Sequence, residues 1–260
     1  MLKNAECILF LRTNLHTDSK NGLISSMANL LAPRSTSLPP FLHVVQIGDP
    51  TLRQICQPVD VNRMQSGDIQ KLINNMKIVL KKYDAFGISA PQLGMPITIF
   101  ALQCTKEQIS QTNDSDVAQR GMVETPFKVF INPKVKIIGN SNTEEREGCC
   151  SMNQYSAIIS RNKELIVSGY NELGEHVKWH AQDWNARIVQ HEMDHLNGSL
   201  FTDKMQPPES LAFNYWKSVN VRGGDFRLSF GGYRGWRQYY YITPILIMIP
   251  ILPMILILAK

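Results

Sequence analysis

The sequence predicts an α+β fold: antiparallel β-sheets packed around a central helix that carries His-Glu-x-x-His, with an amphipathic helix N-terminal to them. Three observations predict it. Apolar residues recur three and four apart from Ile69 to Tyr83. Between residues 97 and 181 the β-rich runs mostly follow one another, which favours antiparallel sheets over alternating strands and helices. A second helical run then carries "QHEMDHLNG", residues 190–198.

The elements follow in chain order. Residues 1–40 hold Lys3, Arg12, Lys20 and Arg34 against Glu6 and Asp18, a basic, acid-poor leader similar to an organelle transit segment. From Asp68, a plausible cap, Ile69, Leu72, Ile73, Met76, Val79, Leu80 and Tyr83 make one apolar helix face. "ITIFALQ" (97–103), "KVFIN" (128–132) and "KVKII" (134–138) read as strands punctuated by Pro. The polar stretch 104–124 reads as an exposed loop with some helix. "ELIVSGY" (164–170) and "EHVKWHA" (175–181) flank "NELG", a hairpin with Gly174 closing its turn. The last helix takes Asp183 as its cap and stops at Asn197-Gly198. After residue 220, "RGGDFRLSFGGYRGW" has no apolar period and reads as a linker. The apolar run 242–259 is short for a bilayer span, and Pro244, Pro250 and Pro253 break it, so membrane contact competes with an unstructured extension. This divides the chain into a leader (1–40), a catalytic unit (41–220) and a tail (221–260).

Bulk properties narrow the function. The net charge of +5 is spread over scattered Lys and Arg with no basic stripe, so no nucleic-acid partner is expected. The five cysteines are an odd number without Cys-x-x-Cys, which argues against a disulfide framework and for a reducing compartment.

The helix carries the chemistry. At 100° per residue, His191 and His195 stand about 40° apart and one turn from each other, so both can reach one ion. Glu192 falls about 60° from His195, where it can take a proton from water held by that ion. Trp184 and Ile188 share the arc. Two histidines leave the site one ligand short. A further His two turns on would be the metzincin solution, but Phe201 occupies that position. The remaining candidate is a thiolate from "EREGCCSM" (144–152), which would complete a site of one Cys and two His with an open position. Cys149 and Cys150 would point to opposite faces of an extended chain, so one of them binds; spacing alone does not say which. A zinc endopeptidase, or a non-catalytic metal domain closed by His43, His176 or His180, also fits these residues.

"FGISAPQLG" (86–94), "EGCCS" (147–151) and "QHEMDHLNG" (190–198), with "GDPTLR" (48–53) and "FINP" (130–133), resemble in order and spacing the motifs of peptide deformylases, most closely the mitochondrial branch. The resemblance covers roughly residues 44–220. It implies Cys149, His191 and His195 as ligands of one divalent ion, with Fe2+ first and Zn2+ or Co2+ as alternatives. It implies Glu192 as general base and then acid, with the Gln92 amide and the Cys150 backbone N–H as donors to the substrate carbonyl. Gly87 and Gly148 would hold the peptide extended, and Phe86 and Ile188 would line a pocket for the methionine side chain. The implied substrate is the N-formylmethionyl end of nascent polypeptides, met in the mitochondrial matrix at the ribosome, by an enzyme that could be a homodimer. Two residues depart from the pattern. Ala85 replaces a Gly that many members have, and Ala resists positive φ. Cys150 replaces Leu and adds a second thiol beside the metal.

Overall fold

The structure is a computed structural model and describes residues 38–221. Nearly all of the leader, the Gly/Arg linker and the apolar run 242–259 lie outside the described residues. Among the described residues, no helix is long and apolar enough to cross a membrane.

A 17-residue helix, α1 (Gly67–Tyr83), comes first. Ser66 is its N-cap, without a side-chain cap bond, and Asp68 sits in the first turn instead of capping. There its charge still favours the helix N-terminus. Asp84 ends the helix in the left-handed region at φ 50. The turn therefore takes its positive φ at Asp84 and not at Ala85, whose N–H donates to the Leu80 carbonyl at 3.0 Å.

Five strands make the larger sheet: β1 (Gly87–Ser89), β2 (Ile99–Cys104), β3 (Thr125–Ile137), β6 (Glu164–Tyr170) and β7 (His176–Gln182). They are antiparallel in the order β1-β2-β3-β6-β7. Alternation along β2 and β3 splits the core. Ile99, Ala101, Val129 and Ile131 face α1, which buries Leu72, Ile73, Met76, Val79 and Leu80 on them. Phe100, Leu102 and Phe130 face the other way, toward Trp184, Ile188 and Val189 of α4 (Asp183–Leu196). Each such aliphatic side chain contributes about 1.5–3 kcal/mol when fully buried.

The smaller sheet has the order β4-β5-β8, with β4 (Asn142–Cys149), β5 (Met152–Asn162) and the two-residue β8 (Ala212–Phe213). Helix α4 contacts β1, β2, β6 and β7 of the larger sheet and β5 of the smaller one.

Two local expectations change, and the helix expected within 104–124 takes definite bounds. The runs 128–132 and 134–138 form one 13-residue strand, β3, because Pro133 falls at a register shift between Ile131 and Lys134, where a missing N–H is tolerated. The stretch 104–124 is ordered as α2 (Lys106–Gln111) and α3 (Asp114–Arg120), capped by the side chains of Thr105 and Asn113. At the start of α4, Gln182 is the N-cap, and Asp183 is the first helical residue, with φ 49. Strand β7 runs straight into the helix, so Asp183 makes the corner, its N–H donating to the Lys163 carbonyl at 2.7 Å.

Candidate metal centre

Cys149 closes β4 at the turn into β5, and His191 and His195 stand one turn apart on α4. One ligand atom from each lies within 4.8 Å of the others, and they are the group fit to hold a metal among the described residues. Cys149 Sγ is 3.2 Å from His195 Nε2. Sulfur and nitrogen donors on one tetrahedral ion stand about 3.4–3.6 Å apart, given bonds of about 2.0–2.3 Å. The residues therefore fit one ion held by a thiolate and two imidazoles, with a fourth position left open.

The donor set is prepared for that role. Burial alone would raise the Cys149 pKa, but His195 and His191 beside it hold it well below the usual thiol value. A thiolate is the form a metal needs. Cys150 goes the other way: burial, then Cys149, Glu192 and Asp84 push its thiol up. His43, His176 and His180 are not in the cluster. His43 stacks on Phe41, His176 meets the Tyr170 ring, and His180 faces Glu164.

A second layer holds these ligands, and sequence reasoning missed it. Glu147 is buried two residues before Cys149, on the same face of β4. His191 Nδ1 faces its Oε2 at 3.1 Å, which leaves Nε2 for the metal. Arg161 pairs with both Glu147 oxygens, at 3.0 and 2.9 Å, and Arg187 donates at 2.6 Å. Arg161 also reaches Asp194 of α4 at 2.7 Å. Two buried arginines thus tie the small sheet to the helix through carboxylates beside the ligands. Period-two alternation in "EREGC" could have found Glu147; the arginines arrive from distant segments.

Gln92 is held in one orientation. The Ser89 N–H and Oγ–H donate to its Oε1 at 2.9 and 3.0 Å. Its amide nitrogen therefore faces the centre, 3.1 Å from Ser151 Oγ and 3.6 Å from Cys149 Sγ. Glu192 is 3% exposed, and its Oε2 has no hydrogen-bond partner among the described residues. Burial, against the pull of His191 and His195, raises its pKa to about 7. Gly87 makes room for this carboxylate: a Cβ there would overlap Glu192 Oε1 and come within 2.8 Å of Ile188 Cγ2.

A pocket of about 580 Å³ opens on the centre. Phe86, Gly87, Gln92, Gly148, Cys149, Cys150, Ile188, His191 and Glu192 all line it. His195 lies behind its wall, 1% exposed. The structure thus brings the candidate site residues to one cavity, except His195, which reaches Cys149 from behind its wall. A thiolate–bis-imidazole centre with a buried carboxylate beside it, at the end of such a cavity, defines a metal-dependent hydrolase.

Comparisons with known proteins agree. The family model described as polypeptide deformylase matches residues 41–210. The chain is 38% identical over 184 residues to the mitochondrial peptide deformylase of Homo sapiens, covering 70% of this chain and 74% of that protein. It is 35% identical to the chloroplastic/mitochondrial peptide deformylase 1A of Arabidopsis thaliana, over 75% of this chain and 72% of that one. Among solved structures, the peptide deformylase of Thermotoga maritima superposes with a TM-score of 0.53 at 28% identity, covering 64% of this chain and 99% of that one. The Met-Ala-Ser-bound enzyme of Acinetobacter baumannii gives 0.56 at 27% identity, over 64% of this chain and 98% of that one. The chain belongs to the polypeptide deformylase family and is a metal-dependent peptide deformylase.

Proposed function

We propose that the chain removes the formyl group from the N-terminal formyl-methionine of nascent polypeptides in the mitochondrial matrix, using Cys149, His191 and His195 to hold one divalent ion. Fe2+ suits the thiolate-containing set and the family resemblance, with Zn2+ or Co2+ as alternative occupants. When bound, the ion supplies Lewis acidity and makes water a nucleophile at neutral pH.

The remaining steps belong to the chain. Glu192 takes the proton from the attacking water and returns it to the departing nitrogen, a role that suits a carboxylate whose pKa is raised to about 7. The Gln92 amide nitrogen and the Cys150 backbone N–H donate to the formyl oxygen as charge grows on it. Losing one such donor costs about 10²–10³ in rate. The family resemblance gives Gly148 and Gly87 the role of holding the peptide backbone extended. Phe86 and Ile188 give the methionine side chain an apolar wall. The organelle follows the human and Arabidopsis relatives, whose names place them in mitochondria or chloroplasts, and the acid-poor leader.

The observation that carries this reading is the convergence of three ligand atoms within 4.8 Å beside the buried Glu192. The test is formate release from a formyl-Met peptide by anaerobically loaded enzyme, with Glu192→Ala as comparison. The variant keeps its metal and loses turnover; full activity in a metal-loaded Glu192→Ala protein ends the assignment. Cleavage of an unblocked internal peptide bond would favour an endopeptidase instead.

A further inference from the structure

We propose that Arg146 is a specificity-determining residue at the mouth of the substrate pocket, and that it selects an acidic side chain at the second residue of the nascent chain. The inference rests on the deformylase reading and deepens it, because it names a subclass of substrates for the same site.

Arg146 is an exposed residue of β4 and lines the pocket that opens on the metal centre, with Gly148, Ser156 and Asn214 beside it. One of its terminal nitrogens is fixed. Nη1 donates to the Ser156 carbonyl and to Ser156 Oγ, both at 3.2 Å, and to the Ser210 carbonyl at 3.1 Å. Ser156 Oγ in turn donates to Asn214 Oδ1 at 2.7 Å. All these acceptors are neutral, so they position the guanidinium without cancelling its charge. The other arginines that line the pocket have their own carboxylates: Arg120 faces Glu145 at 3.4 Å, and Arg187 meets Glu147 at 2.6 Å. No carboxylate among the described residues pairs with Arg146, not even Glu144, two residues away on the same face of β4. A held cation beside a substrate cavity, with no counter-charge of its own, favours an anionic group that arrives with the substrate.

The sheet decides which residue arrives there. β4 is an edge strand of the smaller sheet. Along it Glu145, Glu147 and Cys149 turn inward, and Arg146 and Gly148 lie on the exposed face. Ser156, which holds Nη1, is paired with Gly148 across the sheet, so the guanidinium stands by the Gly148–Ser156 pair. An extended peptide along this edge alternates in the same way. Its first side chain turns inward to Phe86 and Ile188, so its second turns outward, onto the face of Arg146. The reach agrees. In an extended peptide the second Cα is about 6 Å from the formyl carbon, and Gly148 lies two residues, about 6–7 Å, from the Cys150 N–H assigned to the formyl oxygen. The second residue therefore passes Gly148, where an Asp or Glu carboxylate meets the guanidinium.

The test compares formyl-Met-Xaa-Ala peptides in which Xaa is Glu, Gln or Lys. Their C-termini are amidated, which removes the terminal carboxylate as a competing source of charge. Turnover is read with the metal-loaded full chain, for wild type, Arg146→Met, Arg146→Lys and Arg146→Glu. Wild type should turn over the Glu peptide with kcat/KM about 3- to 10-fold above the Gln peptide, carried by KM, with the Lys peptide lowest. Raising the salt to about 0.5 M should erase most of that difference. Arg146→Met should level the three peptides, Arg146→Lys should keep their order, and Arg146→Glu should reverse it. A wild type indifferent to Xaa would overturn the proposal, as would a Glu preference that survives in Arg146→Met. A parallel loss on all three peptides in Arg146→Met would make Arg146 merely structural and overturn it too. If Arg146→Glu does not fold, the Met and Lys variants still decide between these results. No turnover of any peptide by wild type would instead overturn the deformylase reading beneath it.

Discussion

Cys149 and Cys150 are adjacent, yet their surroundings give them opposite chemistry. Cys149 faces two imidazoles that hold its pKa well below the usual thiol value, whereas burial first, and then the negative charges of Cys149, Glu192 and Asp84, push the Cys150 thiol up. Cys149→Ser should therefore abolish tight metal binding, while Cys150→Ser keeps one ion per chain, as elemental analysis of the purified proteins would show. The reverse result would exchange the two roles. Glu147→Gln keeps the shape of its side chain but weakens the ion pairs that fix His191, so metal affinity should fall about 10- to 100-fold in a chelator competition. The sequence carried the two histidines and Glu192 in one helical motif. Spacing alone left the choice of thiol open, because alternation separates the two faces without saying which one meets the helix; the family resemblance chose Cys149. The Glu147–Arg161–Asp194 ties were not legible, since their partners come from different strands and the helix.

At the scale of elements, α4 depends on how it ends. Gly198 follows its C-cap Asn197 at φ +71, and a Cβ there would stand 2.8 Å from the Arg53 carbonyl oxygen, which belongs to backbone and cannot give way. Gly198→Ala should cost about 1–3 kcal/mol in urea unfolding of the loaded enzyme, with metal stoichiometry unchanged. An unaltered midpoint would show that the Arg53 segment moves freely. Helices α1 and α4 and the β6–β7 hairpin were readable because each carries its own period of apolar residues or its own turn glycine. The β4–β5 hairpin was not. "NTEEREGC" is mostly polar, and its register with β5 is fixed by a partner strand beyond the turn, not by a local apolar pattern. Likewise, Pro133 suggested a break where the sheet accommodates it at a bulge.

For the molecule as a whole, the catalytic unit is proposed to lie within residues 41–220. The family model matches residues 41–210, inside that span. A chain trimmed to residues 38–221 should fold, bind one ion and deformylate within a few-fold of the full chain; an unfolded or metal-free product would assign the outer segments a structural role. The two buried cysteines of the main core should stay silent in such a protein. Burial, aided at Cys104 by Glu124, raises Cys56 and Cys104 to about 11. Their thiolates form only as pH approaches that value, so alkylation at pH 7.5 read by mass spectrometry should leave both unmodified in the native state and modify both after unfolding.

X-ray absorption of the loaded enzyme bears most directly on the centre itself. One sulfur at about 2.3 Å, two imidazole nitrogens at about 2.0–2.1 Å and one exchangeable oxygen should surround the ion, and the sulfur should disappear in Cys149→Ser. A spectrum without sulfur, or one that loses it only in Cys150→Ser, would contradict the account.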